Sequence, residues 1–425
     1  MHLPPSLRSR SIRLWSAFGL VHAVLVALCL FAPGWPLGDI DRVYRGWAEA
    51  AASGGYVVGI STGFVYPIVA FVPIFLAIAF GSAAYSLTWL GIVILLNGIA
   101  FAVLIGSRTG GTSGVEHRPR REHAAWWWLA FLLLLGPIAL ARIDSVTVPL
   151  VLIALLWLRT RPLWGAALLT VATWVKVWPA AVLAALFVAT RRRWRVLVVA
   201  AGTSALIVAL ALILGSGDNV FSFVSQQTER GIQIESPVSL IWMWQAAFQV
   251  PGTRIYYDQQ MLTFQVTGPG TEVASAMMTP LLALAAASVL VIGWLAMRRG
   301  ARFEALFPPL VLALTVTLIA FNKVGSPQFI GWLAPPVILG LILSGRSWRA
   351  PAVIVGALAT LTHVVYPYLY DWLLVANPLM VLALTARNLL ELVLLGWAVW
   401  RMWGAGSRGA RAGHRDVPVQ ALQKE

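Results

Sequence analysis

Two carboxylates stand two residues apart in an aromatic segment, Gly38-Asp39-Ile40-Asp41-Arg42-Val43-Tyr44, followed by Trp47 and Tyr56, with Tyr66-Pro67 just beyond. A carboxylate beside aromatic faces suits a general base next to a surface on which a sugar ring can stack. The plainer alternative is a solvated loop in which Asp39 caps the helix that follows. Lys176 interrupts a long apolar stretch and is followed by Pro179. A lysine at membrane depth needs an anion or water, and a lipid-linked phosphate would serve as the anion. Arg142-Ile143-Asp144 offers a cation and an anion to a cavity wall, or else an ion pair that fixes a helix start. Asn322-Lys323-Val324-Gly325-Ser326-Pro327-Gln328 brings another cation among polar donors, suited to a phosphate, although an interfacial lysine in an ordinary turn reads the same way. His363 clusters with Tyr366, Tyr368, Tyr370 and Asp371, a pattern that also fits an aromatic belt. Arg387 and Glu391, four residues apart, fit a structural ion pair on one helix face.

The elements that position these groups follow from composition. Of 425 residues, 59% are hydrophobic and 11% charged, with 21 Trp, so a soluble globule would lack the polar surface to cover itself. Apolar segments at about 14–32, 66–80, 84–105, 125–141, 145–158, 163–176, 177–190, 196–215, 274–297, 304–320, 328–344, 350–370 and 376–400 have the lengths of membrane helices. If all of them crossed, the basic loops around Arg118–Arg121 and Arg159–Arg161 would lie outside, against the positive-inside tendency. The segment 66–80 is short, opens on Tyr66-Pro67 and contains Pro73. Taking it as re-entrant or juxtamembrane puts every basic cluster on the cytoplasmic side: the N-terminus, 108–121, 159–161, 191–195, 298–302, 346–349 and the tail from Arg401.

The expected fold is therefore all-α, a polytopic transmembrane bundle of about 12 spans plus that one segment. Its parts are a cytoplasmic N-terminus at 1–13, a single membrane domain at 14–402 with outer loops at 33–65 and 216–272, and a disordered cytoplasmic tail at 403–425. The first span is read as uncleaved, being too long for a signal h-region. Three spans of roughly 14 residues reach only about 21 Å, so the corner at Lys176-Val177-Trp178-Pro179 should sit in a cavity below the outer surface. The same topology gathers Asp39, Asp41, Arg142, Asp144, Lys176, Asn322, Lys323 and Asp371 on the outer side.

Other functions are weakened by what the chain carries. The net charge of +15 is spread through short loops rather than a basic domain, which argues against nucleic acid as a partner. Cys29 is the single cysteine, so no intrachain disulfide and no cysteine-rich metal site can form. Nothing matches a phosphate-binding P-loop, a dinucleotide glycine motif, a zinc HExxH or a nucleophile elbow. The loop at 216–272, with Asp218, Glu229, Glu235, Asp258 and Glu272 against Arg230 and Arg254 and with Trp242, Trp244, Tyr256 and Tyr257, suits an acceptor or simply caps the bundle.

These residues together resemble the polyprenyl-phosphate-mannose-dependent mannosyltransferases of actinobacteria, glycosyltransferase family 87 of the GT-C fold class. The resemblance runs from about Asp39 to Pro336. It is carried by Asp39-Ile40 with Tyr44 and Trp47, by Tyr66-Pro67, by Arg142-Ile143-Asp144, by the run Leu168 to Pro179 with Arg191–Arg195 after it, and by Ser326-Pro327-Gln328-Phe329 with Trp332 and Pro335. The resemblance implies an essential aspartate in the first outer loop and a cavity that takes a lipid-phosphate sugar from the bilayer. It makes Asp39 the base, with Asp41 its rival, and makes Lys176, Lys323 and Arg142 ligands of the donor phosphate. Asp144, Tyr44, Trp47, Tyr66, Asn322, Ser326, Gln328 and His363 are the expected substrate contacts. The implied partners are a polyprenyl-phosphate sugar donor, a lipid-linked glycan acceptor and membrane lipids, with no cofactor and no metal. A transporter or lipid flippase built from the same charges, or transfer of arabinose instead of mannose, are the competing expectations.

Overall fold

The computed structural model describes residues 5–106, 118–228, 230–259 and 261–415. The expected basic residue Arg108 and the last ten residues of the tail lie outside them. Each apolar segment expected to cross coincides with a helix: α1 Pro5–Phe31, then, after a short α2 Arg45–Ala52 and α3 Phe71–Leu76, α4 Tyr85–Gly106 and α5 Arg118–Leu135. Next come α6 Asp144–Trp157, α7 Pro162–Val175, α8 Pro179–Ala189 and α9 Arg193–Ile213. After α10 Ser222–Thr228 and α11 Leu240–Ala247 follow α12 Thr271–Arg298, α13 Phe303–Ala320, α14 Ala334–Ser344, α15 Arg349–His363, α16 Tyr370–Leu374 and α17 Pro378–Arg415.

Among the described residues, eight helical stretches are long and apolar enough to cross a membrane, and α6, α7 and α8 are shorter apolar helices. One of the eight, Pro327–Tyr368, is broken where Gly345 takes φ +56, so α14 and α15 fold back on each other. The segment 66–80 forms a short turn and the six-residue α3, a helix far too short to cross. Pro67, with ψ 148, holds the chain extended just before the turn, so no helix runs in from Tyr66.

Helix α13 is the axis of the bundle, 78% buried across its apolar window, and it packs against α8, α12, α14 and α17. Helices α9 and α12 form the outside, with 11% and 17% buried, and they present Leu206, Leu210, Ile213, Leu281 and Leu284 outward. Apolar side chains exposed along whole helices are what lipid, and not water, solvates. The chain is thus a multi-pass membrane protein.

Two expectations change. The loop at 216–272 is not all helical: β1 Arg254–Asp258 and β2 Thr263–Thr267 form an antiparallel hairpin, with Tyr257 opposite Phe264. Aromatic and β-branched residues on both strands favour it, and residues 232–234 extend it, Val266 N donating to Ile232 O at 3.0 Å. In the tail expected at 403–425, the described part is helical, because α17 continues to Arg415.

Candidate active site

The first long loop, after α1, enters through a π-helical turn, Asp39–Tyr44, that runs directly into α2. This turn separates the two aspartates. Asp41 is tied down locally: Ser86 Oγ donates to Oδ1 and Trp35 Nε1 donates to Oδ2 at 3.0 Å. Asp39 points the other way, with its side chain 44% exposed and Oδ2 3.1 Å from Arg142 Nε.

Arg142 has partners for four of its five N–H donors. Nη1 donates to Pro36 O at 2.8 Å and Ala141 O at 2.6 Å, and Nη2 donates to the Tyr366 hydroxyl at 2.6 Å. Burial alone would lower its pKa, but the Asp39 carboxylate, with Tyr366 behind it, raises it above the ordinary guanidinium value. The pairing expected with Asp144 does not occur. Asp144 is buried at the start of α6 and accepts from Lys176 Nζ at 3.3 Å and from Trp332 Nε1 at 2.7 Å.

Lys176 takes extended backbone after α7, where Pro179 opens α8, so the corner breaks the helix pair and turns the ammonium inward. The ammonium lies 4.8 Å from the Tyr66 ring and 5.7 Å from the Phe329 ring. Beneath it Trp332 stacks on Trp178 and Phe329, with ring centroids 5.5 and 4.2 Å apart. Tyr66 in turn shares a hydroxyl contact of 3.3 Å with Tyr44, which accepts from Ile143 N. The Tyr44 phenol is buried, and burial pushes its pKa well up, so it stays a neutral donor.

Two adjoining cavities meet at Asp39. One, of about 640 Å³, is polar and aromatic, lined by Trp35, Arg42, Trp47, Tyr56, Arg142, Gln233, Glu235, Tyr257, Tyr366 and Tyr370 among others. The second, of about 510 Å³, combines cations with apolar walls: Lys176, Arg230 and Lys323 face Val65, Val177, Met278, Leu282, Leu318 and Phe321. Asp39, Val43, Trp47, Leu262, Thr263, Ser326 and Gln328 line both. Gly325 lets the loop after α13 lie against the 233–236 turn, since a Cβ there would collide with the Ser236 backbone.

Of the residues expected from sequence, the structure brings Asp39, Tyr44, Trp47, Tyr66, Lys176, Asn322, Lys323, Ser326 and Gln328 to this pair of cavities. Lys323 is buried and within 3.4 Å of Ser275 Oγ, and burial pushes its ammonium pKa down. Arg142 lines the first cavity and not the cationic one. Four of its five N–H donors face Asp39, Tyr366 and two carbonyls, so in this structure it is the partner of Asp39. Asp41 and Asp144 line neither cavity, each consumed by its own donors. His363 also lines neither; it packs on Gly136 and bonds the Tyr368 hydroxyl at 2.8 Å.

Arg387 also departs from the pairing that its spacing suggests. Its guanidinium does not pair with Glu391 but with Glu235, at 2.7 Å to the carboxylate and 2.7 Å to the carbonyl. This buried pair anchors the 233–236 turn of the first cavity to α17. Burial pushes the Glu235 pKa up, partly opposed by Arg387. Arg230, Gln233 and Glu235 were visible only as loop residues, because no spacing tied them to Asp39. Among the described residues, no group of three or more His, Cys, Asp or Glu could hold a metal ion.

The fold and the site define a multi-pass membrane protein in which a carboxylate lies between a cation-lined apolar cavity and an aromatic polar one. The model of glycosyltransferase family 87 matches residues 64–321, and the chain belongs to that family. It is a membrane glycosyltransferase, and the match takes in Tyr66, Arg142, Lys176 and Arg230 while beginning after the Asp39 turn. No curated protein and no solved structure matches the chain.

Proposed function

We propose that this glycosyltransferase transfers mannose from polyprenyl-phosphate-mannose to a lipid-linked glycan acceptor on the outer face of the membrane, with inversion and without a metal. The observation that carries the reading is the place of Asp39 between the two cavities, half exposed and lining both. The cationic cavity suits the donor: apolar walls for the lipid, Lys176 and Lys323 for its phosphate. The aromatic cavity suits an acceptor sugar, whose rings stack on tryptophan and tyrosine faces.

In this reaction Asp39 takes the proton of the acceptor hydroxyl. The oxygen forms the new bond to the anomeric carbon, and the bond from that carbon to the phosphate oxygen breaks. Polyprenyl phosphate leaves with one more negative charge than it carried as a diester, and fixed cations offset that charge. Asp39 is preferred over Asp41 as base because Asp41 accepts from Ser86 and Trp35 and lines neither cavity. Arg142 holds Asp39 in place. The outer location rests on the basic loops, which the positive-inside tendency puts in the cytoplasm together with both termini.

The test is transfer by the purified chain from synthetic polyprenyl-phosphate-mannose to an extracted envelope glycolipid, followed by mass spectrometry. A product heavier by one hexose, formed roughly 10²- to 10⁴-fold more slowly by the Asp39→Asn variant, is expected. Turnover of the donor with arabinose in place of mannose, and none with mannose, would replace the sugar assigned here. Side is tested separately, by an impermeant thiol reagent on single cysteines at Tyr56 and Tyr257 in whole cells.

A further inference from the structure

The cations around the cavity where Asp39 meets the apolar wall are not equally available. Lys176 is paired with Asp144 at 3.3 Å, and Lys323 approaches Ser275 at 3.4 Å. Arg142 is committed to Asp39, Tyr366 and two carbonyls. Arg230 differs. Among the described residues its guanidinium has no hydrogen-bond partner, and its Nε is fully buried without one. It lines the cationic cavity together with Tyr66 and Lys176. A partly buried guanidinium left without acceptors carries a desolvation cost that a bound anion would remove.

We infer that Arg230 is the main ligand of the donor phosphate, its planar fork gripping two phosphate oxygens while Lys176 and Lys323 flank it. Resting on the glycosyltransferase reading above, this adds a residue that no sequence spacing singled out. The geometry of the fork matters because two phosphate oxygens can be bound in parallel, which an ammonium cannot do. As the sugar leaves, the phosphate gains a charge, and the same fork stabilises it. Arg230 therefore acts on both donor binding and bond cleavage. Among the described residues its guanidinium makes no hydrogen bond, so its replacement breaks none there.

The test measures binding of polyprenyl phosphate, with neutral polyprenol as control, to the full chain in lipid nanodiscs. Quenching of tryptophan fluorescence reports it. Wild type is expected to prefer the phosphate over the alcohol. Arg230→Gln is expected to lose roughly 10- to 100-fold of affinity for the phosphate, the range of a charge-assisted contact, with polyprenol binding unchanged. Arg230→Lys keeps the charge without the fork and should fall between the two. Thermal unfolding of both variants should match wild type. Phosphate affinity in Arg230→Gln equal to wild type overturns the assignment, as does an equal loss for polyprenol. Should wild type itself fail to tell the phosphate from the alcohol, the donor reading of the cavity falls and this inference with it. A wild type that discriminates while Arg230→Gln does so equally well sinks the inference alone.

Discussion

Replacing Asp39 by Asn separates its chemical from its structural role, because the two have different sizes here. The side chain accepts one charge-assisted contact from Arg142 Nε at 3.1 Å and is otherwise half exposed. Asparagine keeps an acceptor oxygen at that place. Arg142 retains its bonds to Pro36 O, Ala141 O and the Tyr366 hydroxyl. Removing one partner of a fully buried ion pair costs about 3–5 kcal/mol. With three acceptors kept and Asp39 open to water, the loss should be nearer about 1–2 kcal/mol, the scale of a single charge-assisted bond. A base that moves a proton in the transition state contributes roughly 10²- to 10⁴-fold. Asp39→Asn should therefore lower kcat for sugar transfer by that factor while the protein stays folded, with a modest drop in Tm. The assay is transfer from the synthetic donor at saturating acceptor, beside thermal unfolding of the same preparation. Transfer within tenfold of wild type, in a folded variant, would remove Asp39 from the mechanism. Collapse of the fold would instead show that Arg142 depends on it more than the contacts indicate.

Asp41→Asn should change kcat less than threefold, since its oxygens are held by Ser86 and Trp35 away from both cavities; loss of transfer to the Asp39→Asn level would reverse the choice of base. Asp144→Ala strands Lys176 and Trp332 Nε1 in a buried site and should cost about 3–5 kcal/mol of stability, read by chemical unfolding. Glu235→Gln should cost a similar amount, by breaking the 2.7 Å pair with Arg387, and should raise the acceptor KM more than the donor KM. Burial lowers the Lys323 pKa. The ammonium is the form that binds phosphate, so rising pH should raise the donor KM earlier than an exposed lysine would, and Lys323→Arg, which stays charged, should flatten that rise.

What the residues determined alone was a bundle of membrane helices and roughly where each lies, because unbroken apolar runs leave the backbone no solvent and force it into helices. Pro67 and Pro73 marked the apolar segment whose helix is only six residues long, and Lys176 before Pro179 marked a polar corner among apolar helices. The alternation that could have announced the hairpin at 254–267 is short, and helical neighbours masked it. Charge pairing was decided only in three dimensions. Arg142 lies next to Asp144 in sequence yet pairs with Asp39, and Arg387 lies one helical turn from Glu391 yet pairs with Glu235. Local spacing favours the near partner, but a buried charge takes whichever acceptor the packed bundle brings within hydrogen-bond reach, since an unpaired charge in that interior costs far more than a helix-face contact gains.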